Sequence, residues 1–144
     1  MRGPVRSGLL AIAGSLAFAA AAPAAASPAP VSDGPKLAAI ALAEIRTRLP
    51  PASSTVQLVP IVRANPEGFE DAADKALRSA GYAVASDRAK SPAAHVIGIG
   101  ASPLWDGYVL HLQFGQAATT RFYRPDVTGA LVPAGPAAVR EIQQ

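Results

Sequence analysis

Between Tyr108 and Phe114 the chain alternates strictly, with Tyr108, Leu110, Leu112 and Phe114 on one side of an extended strand and Val109, His111 and Gln113 on the other. A period of two marks a strand buried on one face and more polar on the opposite one. Such a strand needs neighbours in a sheet and a second layer over its apolar side. The neighbours are at hand. Ala94–Ala101 and Thr119–Arg124 read as the other two strands of a meander. Asp106-Gly107 is a strong turn signal between the first pair, and Gln116-Ala117-Ala118 a weaker one between the second.

Two helices supply the cover. Lys36–Arg48 carries Leu37, Ala41, Ile45 and Leu49 on one stripe with Ile40 beside them, while Glu44, Arg46 and Arg48 fall away from it. Ser32 or Asp33 is positioned to cap this helix, and Pro50-Pro51 stops it. The second helix has a fuller grammar: Asn65 as N-cap, Pro66 at the first position, and Glu67, Glu70 and Asp71 at the positive end. Its buried stripe is Phe69, Ala72, Ala73, Ala76, Leu77 and Ala80, and Gly81 suits a left-handed C-terminal cap.

Thr55–Val62 is β-branched and aliphatic and reads as a strand, with Pro60 arguing for an edge or a bulge. Tyr82-Ala83-Val84 is a short strand leaving the second helix, and Ser86–Pro92 is a polar connection. From Pro125 the chain becomes turn-rich, with Ala137–Gln144 predicted as a short terminal helix. Helices segregated from a largely antiparallel meander define an α+β two-layer sandwich, two helices packed on a small, mainly antiparallel sheet.

The N-terminus is of a different kind. Arg2 and Arg6 precede a short apolar run, Leu9–Ala22, and Ala24-Ala25-Ala26 supplies a small-residue cleavage pattern. Residues 1–26 therefore read as a secretory signal peptide, residues 27–35 as a flexible linker, and residues 36–144 as one small α+β domain with an irregular C-terminal tail. The apolar run falls short of the roughly 20 residues a membrane-spanning helix requires. Removing Arg2 and Arg6 leaves eleven basic against ten acidic residues, a net of +1. That balance supplies no field to steer a polyanion, so direct nucleic-acid binding is disfavoured. Cysteine is absent, which excludes disulfides, a thiol nucleophile, thiolate metal sites and a lipid-modified cysteine. The expected location is the periplasm or the periplasmic face of the outer membrane.

No catalytic constellation emerges from the residues. His95 and His111 lie on predicted strands with no carboxylate at ligand spacing, so no metal site is assigned. Ser102, His111 and Asp106 can be drawn as a triad, but no G-x-S-x-G elbow exposes a serine. Gly98-Ile99-Gly100 lacks a third glycine and a following helix, so no phosphate-binding cofactor is expected. What stands out is a set of interface-type side chains: Trp105 at a hairpin tip, and Arg121, Phe122, Tyr123 and Arg124 on the last strand of the meander. These are the candidate protein-interaction residues.

Leu49-Pro50-Pro51-Ala52, Thr55-Val56-Gln57-Leu58, and Phe69 and Ala76-Leu77-Arg78 before Gly81-Tyr82-Ala83-Val84 together resemble the conjugal transfer protein TrbH family. The likeness continues through Gly107-Tyr108-Val109-Leu110, Arg121-Phe122-Tyr123 and Pro133-Ala134-Gly135-Pro136, and covers Leu37 to Glu141. The resemblance implies a non-enzymatic envelope component of a type IV secretion, or conjugation, apparatus. It would act through contacts with other channel subunits, with no cofactor and no catalytic residues to carry over. Relatives of this kind are commonly lipoproteins anchored through a cysteine after the signal; here Ser27 stands at that place, so a lipid anchor is not expected and any outer-membrane association would be peripheral. The alternative is a free periplasmic protein that binds a small molecule or modulates an envelope enzyme. A closed pocket lined by Tyr82, Tyr108 and Phe114 would favour it.

Overall fold

The computed structural model describes residues 32–86 and 91–143. The signal peptide, most of the linker and the middle of the polar connection lie outside the described residues.

Helix α1 spans Gly34–Arg48 and buries Leu37, Ala38, Ala41 and Ile45, the three-and-four spacing that brings one stripe onto a sheet. It begins two residues before the expected start, with Pro35 in its first turn, where a missing N–H costs nothing. Asp33 occupies the N-cap position but makes no side-chain cap bond; its carboxylate instead takes Lys36 Nζ at 2.9 Å and Tyr108 Oη at 3.1 Å. The helix ends where Leu49 turns extended ahead of Pro50.

After a single 3-10 turn at Pro51–Ser53 come β1 (Thr55–Pro60), α2 (Phe69–Ser79) and β2 (Ala83–Val84). Then follow β3 (His95–Leu104), β4 (Gly107–Phe114), β5 (Ala117–Pro125), β6 (Leu131–Pro133) and β7 (Ala138–Glu141). The sheet order is β2-β1-β3-β4-β5-β6, with β7 beside β6 on the outer edge of β5. β1 runs parallel to both β2 and β3, and every other pairing is antiparallel. The architecture is the α+β sandwich expected, with a mostly antiparallel open sheet of seven strands.

Both helices contribute to a core on one face of the sheet. Leu37, Ile45, Val56, Phe69, Leu77, Ile97 and Ile99 are its largest fully buried side chains. Each contributes about 1.5–3 kcal/mol on removal from water. The expected alternation on β4 holds, with Leu110 and Leu112 buried in that core and His111 half-buried on the second face. α2 closes with a Schellman arrangement: Tyr82 N–H donates to Leu77 O and Gly81 N–H to Arg78 O, with Gly81 at φ 95°.

Five local expectations are corrected. Asn65 does not cap α2, whose N-cap is Gly68 in the left-handed region. Its Oδ1 accepts the Ala101 N–H at 2.9 Å, satisfying a β3 donor beyond the last residue of β1. The strand from Thr55 stops at Pro60 rather than Val62; β1 lies between β2 and β3, but its Pro60 end is open on the β2 side, the edge position a proline implies. β2 pairs only with Thr55 and Val56, so Pro60 has no ladder partner on that side to forfeit. The β4–β5 turn is Gly115-Gln116, one residue earlier than read, because Gly115 supplies the positive φ of 58°. The β3–β4 turn is Trp105-Asp106, with Gly107 already in β4. Finally, the predicted terminal helix is strand β7, which binds the free edge of β5. So short a segment falls below the length at which a helix offsets its nucleation cost.

Beyond β1 the chain crosses the second face of the sheet. Ile61 N–H donates to Ile99 O, and the Ile61 and Val62 side chains lie over Gly98 and Gly100. The sheet thus has a Trp105 end, with the starts of both helices, and a Phe114 end, where α1 finishes.

Candidate interaction surface

Trp105 is the first of the two turn residues between β3 and β4. Its φ of 50° is the one positive value among the described non-glycine residues. Such a backbone costs a bulky residue of order 1–3 kcal/mol, and glycine, asparagine or aspartate would take the position more cheaply. The indole is 88% exposed. It touches the protein edge-on against Phe122, with ring centroids 5.9 Å apart and planes at 86°. That geometry contributes about 0.5–1.5 kcal/mol. Leu104 and Val132, both partly exposed, extend the apolar patch. Arg124 Nη2 reaches Asp106 Oδ2 at 2.9 Å across its rim. Both partners of that pair are more than half exposed, so it orients the rim more than it stabilises the fold.

The five candidate residues do not form one surface. Phe122 lies opposite Val109 in the β4–β5 ladder, on the second face, and Arg124 shares that face with it. Trp105, Phe122 and Arg124 therefore come together. Tyr123 and Arg121 lie opposite Tyr108 and Leu110 and point to the helix side. Tyr123 is buried at 4% exposure, and this burial, ahead of the nearby Glu44 charge, raises its phenol above the ordinary value. Arg121 Nε donates to Gly135 O at 3.0 Å, and its guanidinium lies 5.9 Å from the Tyr123 ring centre. These two anchor the chain's return after β6.

A second feature escaped the sequence reading. At the Phe114 end, a cleft of about 480 Å³ is lined by Arg48, Leu49, His95, Val96, Ile97 and Phe114. The Arg48 guanidinium stands 4.7 Å over the Phe114 ring and donates to Thr119 Oγ1 at 3.1 Å. Among the described residues no carboxylate pairs with Arg48. In sequence Arg48 is only a polar residue off a helix stripe; the cleft arises from assembly of α1 on β3 and β4.

Two members of the drawn triad have other partners. Asp106 binds Arg124, and His111 Nδ1 sits 3.4 Å from Thr120 Oγ1. Burial lowers the His111 imidazole below its ordinary value. Among the described residues no group of three His, Asp or Glu could hold a metal ion. No described helix is long and apolar enough to cross a membrane.

An open sheet covered by helices on one face, with an exposed aromatic knob at one end, defines the class: a one-sided α+β sandwich. The chain belongs to the conjugal transfer protein TrbH family, whose model matches residues 14–142, and it is a conjugal transfer component. The family likeness carried by Pro50-Pro51, Gly81-Tyr82 and Arg121-Phe122-Tyr123 is thereby confirmed. Comparison with curated proteins and with solved structures returned no match.

Proposed function

We propose that this protein is a non-enzymatic, exported envelope component of a conjugal transfer (type IV secretion) apparatus. It acts through protein–protein contacts from the periplasm or the periplasmic face of the outer membrane. The observation that carries the reading is Trp105, held 88% exposed on a strained turn although it contributes little to the core. A large aromatic kept in water at such a position is understood as an anchor for a partner subunit. Family membership supports the apparatus. The Arg2–Ala26 pattern supports export, and the missing cysteine argues against a lipid anchor.

The alternative, a periplasmic small-molecule binder, loses its favoured pocket. Tyr82 donates its hydroxyl to Leu49 O, while Tyr108 donates to Asp33 at the other end of the sheet. The test is a mating assay in a deletion strain complemented with wild type or Trp105→Gly, together with envelope fractionation and cross-linking. Export, cross-links to channel subunits and a transfer defect for the variant are expected. Normal transfer by the deletion strain, or a cytoplasmic protein without envelope partners, overturns the proposal.

A further inference from the structure

The two unexplained features of this molecule, the Trp105 knob and the Arg48–Phe114 cleft, lie at opposite ends of the same sheet. β4 begins at Gly107 beside the knob and ends at Phe114 in the cleft. Their chemistry matches. The knob presents an indole and Leu104; the cleft offers Leu49 and the Phe114 ring, with a guanidinium above it that can face a second π-system. A site of about 480 Å³ is within the range that takes an aromatic group.

The charges match as well. At the Trp105 end, Glu67, Glu70, Asp71 and Asp126 outnumber Arg63, while Asp33–Lys36 and Asp106–Arg124 are internally paired. In the Phe114 half, Arg46, Arg48, Lys75 and Arg140 outnumber Glu44 and Glu141, while Asp74–Arg78 is internally paired. The described domain is therefore negative at the knob and positive at the cleft. Both helices start at the knob end, and their dipoles, roughly half a charge per terminus, offset only part of this polarity.

We propose that the occupant of the cleft is Trp105 of a second copy of this chain, so that copies dock head to tail. The contact joins two different patches, so a docked pair leaves one knob and one cleft free, and the series either closes as a ring or runs on. This rests on the reading of Trp105 as a contact residue and names its partner.

Trp105 is the only tryptophan, so its emission reports its own burial. The full-length protein, exported and purified, is followed by sedimentation and by fluorescence over a concentration series. Mass is expected to grow past the dimer with a parallel shift of emission to shorter wavelength, both reversed by high salt. Trp105→Gly, which relieves the turn, and Arg48→Glu each weaken association at least tenfold; Arg48→Gln, a milder change, weakens it less. Unchanged circular dichroism shows that the variants remain folded. The decisive arm mixes the two: Trp105→Gly retains its cleft and Arg48→Glu retains its knob, so together they form a one-to-one pair that grows no further. A wild-type monomer at every concentration overturns the proposal, as does a dimer that the mixture fails to restore. A mating defect of Trp105→Gly alongside a monomeric wild type would remove self-docking and keep the contact reading. Intact assembly with normal mating would do the reverse.

Discussion

A Cβ atom on Gly107 would lie 2.1 Å from the carbonyl oxygen of Tyr123, the neighbouring strand's backbone. The glycine is required by this approach of β5 and not by its own φ, since the positive φ of the hairpin falls on Trp105. Arg124 Cα, 3.0 Å from the same point, closes the other way out.

Gly107→Ala must therefore shift backbone rather than a side chain. The expected loss is about 3 kcal/mol, the upper part of the range for overpacking. Urea unfolding measures it as a lower midpoint at unchanged slope. A loss below about 0.5 kcal/mol, the scale of an ordinary surface substitution, would mean that the β4–β5 ladder opens freely at this end.

Gly100 gives a different outcome because what it meets is side chain. A Cβ there would stand 2.8 and 2.9 Å from the two Val62 methyls. Gly100→Ala is expected to lift the Ile61–Asn65 crossing and cost about 1–2 kcal/mol. Val62→Ala removes the obstructing methyls, so the double variant should recover part of that loss. A double-mutant cycle reads the coupling, and additive losses would show that the two residues do not share the contact.

How far the sequence could be read follows from the range of each determinant. The strand Tyr108–Phe114 was legible because burial of one face acts directly on residues two apart. The same period divides the Arg121–Arg124 candidates between two faces. Adjacent strand residues face opposite ways, so Arg121 and Tyr123 could not share a face with Phe122 and Arg124. Asn65 has the local pattern of a cap, but its partner, Ala101 N–H, is brought to it by the sheet and not by its helix. Strand β7 was hidden for a similar reason: Ala138–Glu141 has little pattern of its own and takes its form from the open edge of β5. The cleft requires Arg48, His95 and Phe114 from three separate elements, so no local signal announces it.

His111 makes stability depend on pH. Its imidazole is half-buried, and desolvation holds its pKa below the ordinary 6.5. The unfolded side chain takes up a proton near that value while the folded one resists until lower pH. Between the two the unfolded state binds more protons, so stability is full above the ordinary pKa and falls as pH drops. Thermal unfolding from about pH 7.5 down to about pH 5 should show a declining midpoint, and His111→Gln should flatten that decline. A decline that persists in His111→Gln would assign it to other groups.

Asp33 joins the start of α1 to the sheet. Its carboxylate accepts Lys36 Nζ at 2.9 Å and Tyr108 Oη at 3.1 Å, and Lys36 also donates to Gly129 O at 2.9 Å in the β5–β6 turn. Burial, together with the bond to Asp33, keeps the Tyr108 phenol protonated above its ordinary range and therefore able to donate. Asp33→Ala removes both acceptor contacts and is expected to cost about 1–2 kcal/mol, a charged hydrogen bond plus a weak, partly exposed ion pair. Tyr108→Phe removes only one of them and should cost less, about 0.5–1.5 kcal/mol. Because the two substitutions delete the same bond, the double variant should fall short of their sum. The loss should also be local: hydrogen exchange is expected to quicken first at Leu37 N–H, which donates to Asp33 O at 2.9 Å in the first turn of α1. Equal acceleration across α1 and α2 would instead mean that this corner opens only when the whole domain unfolds.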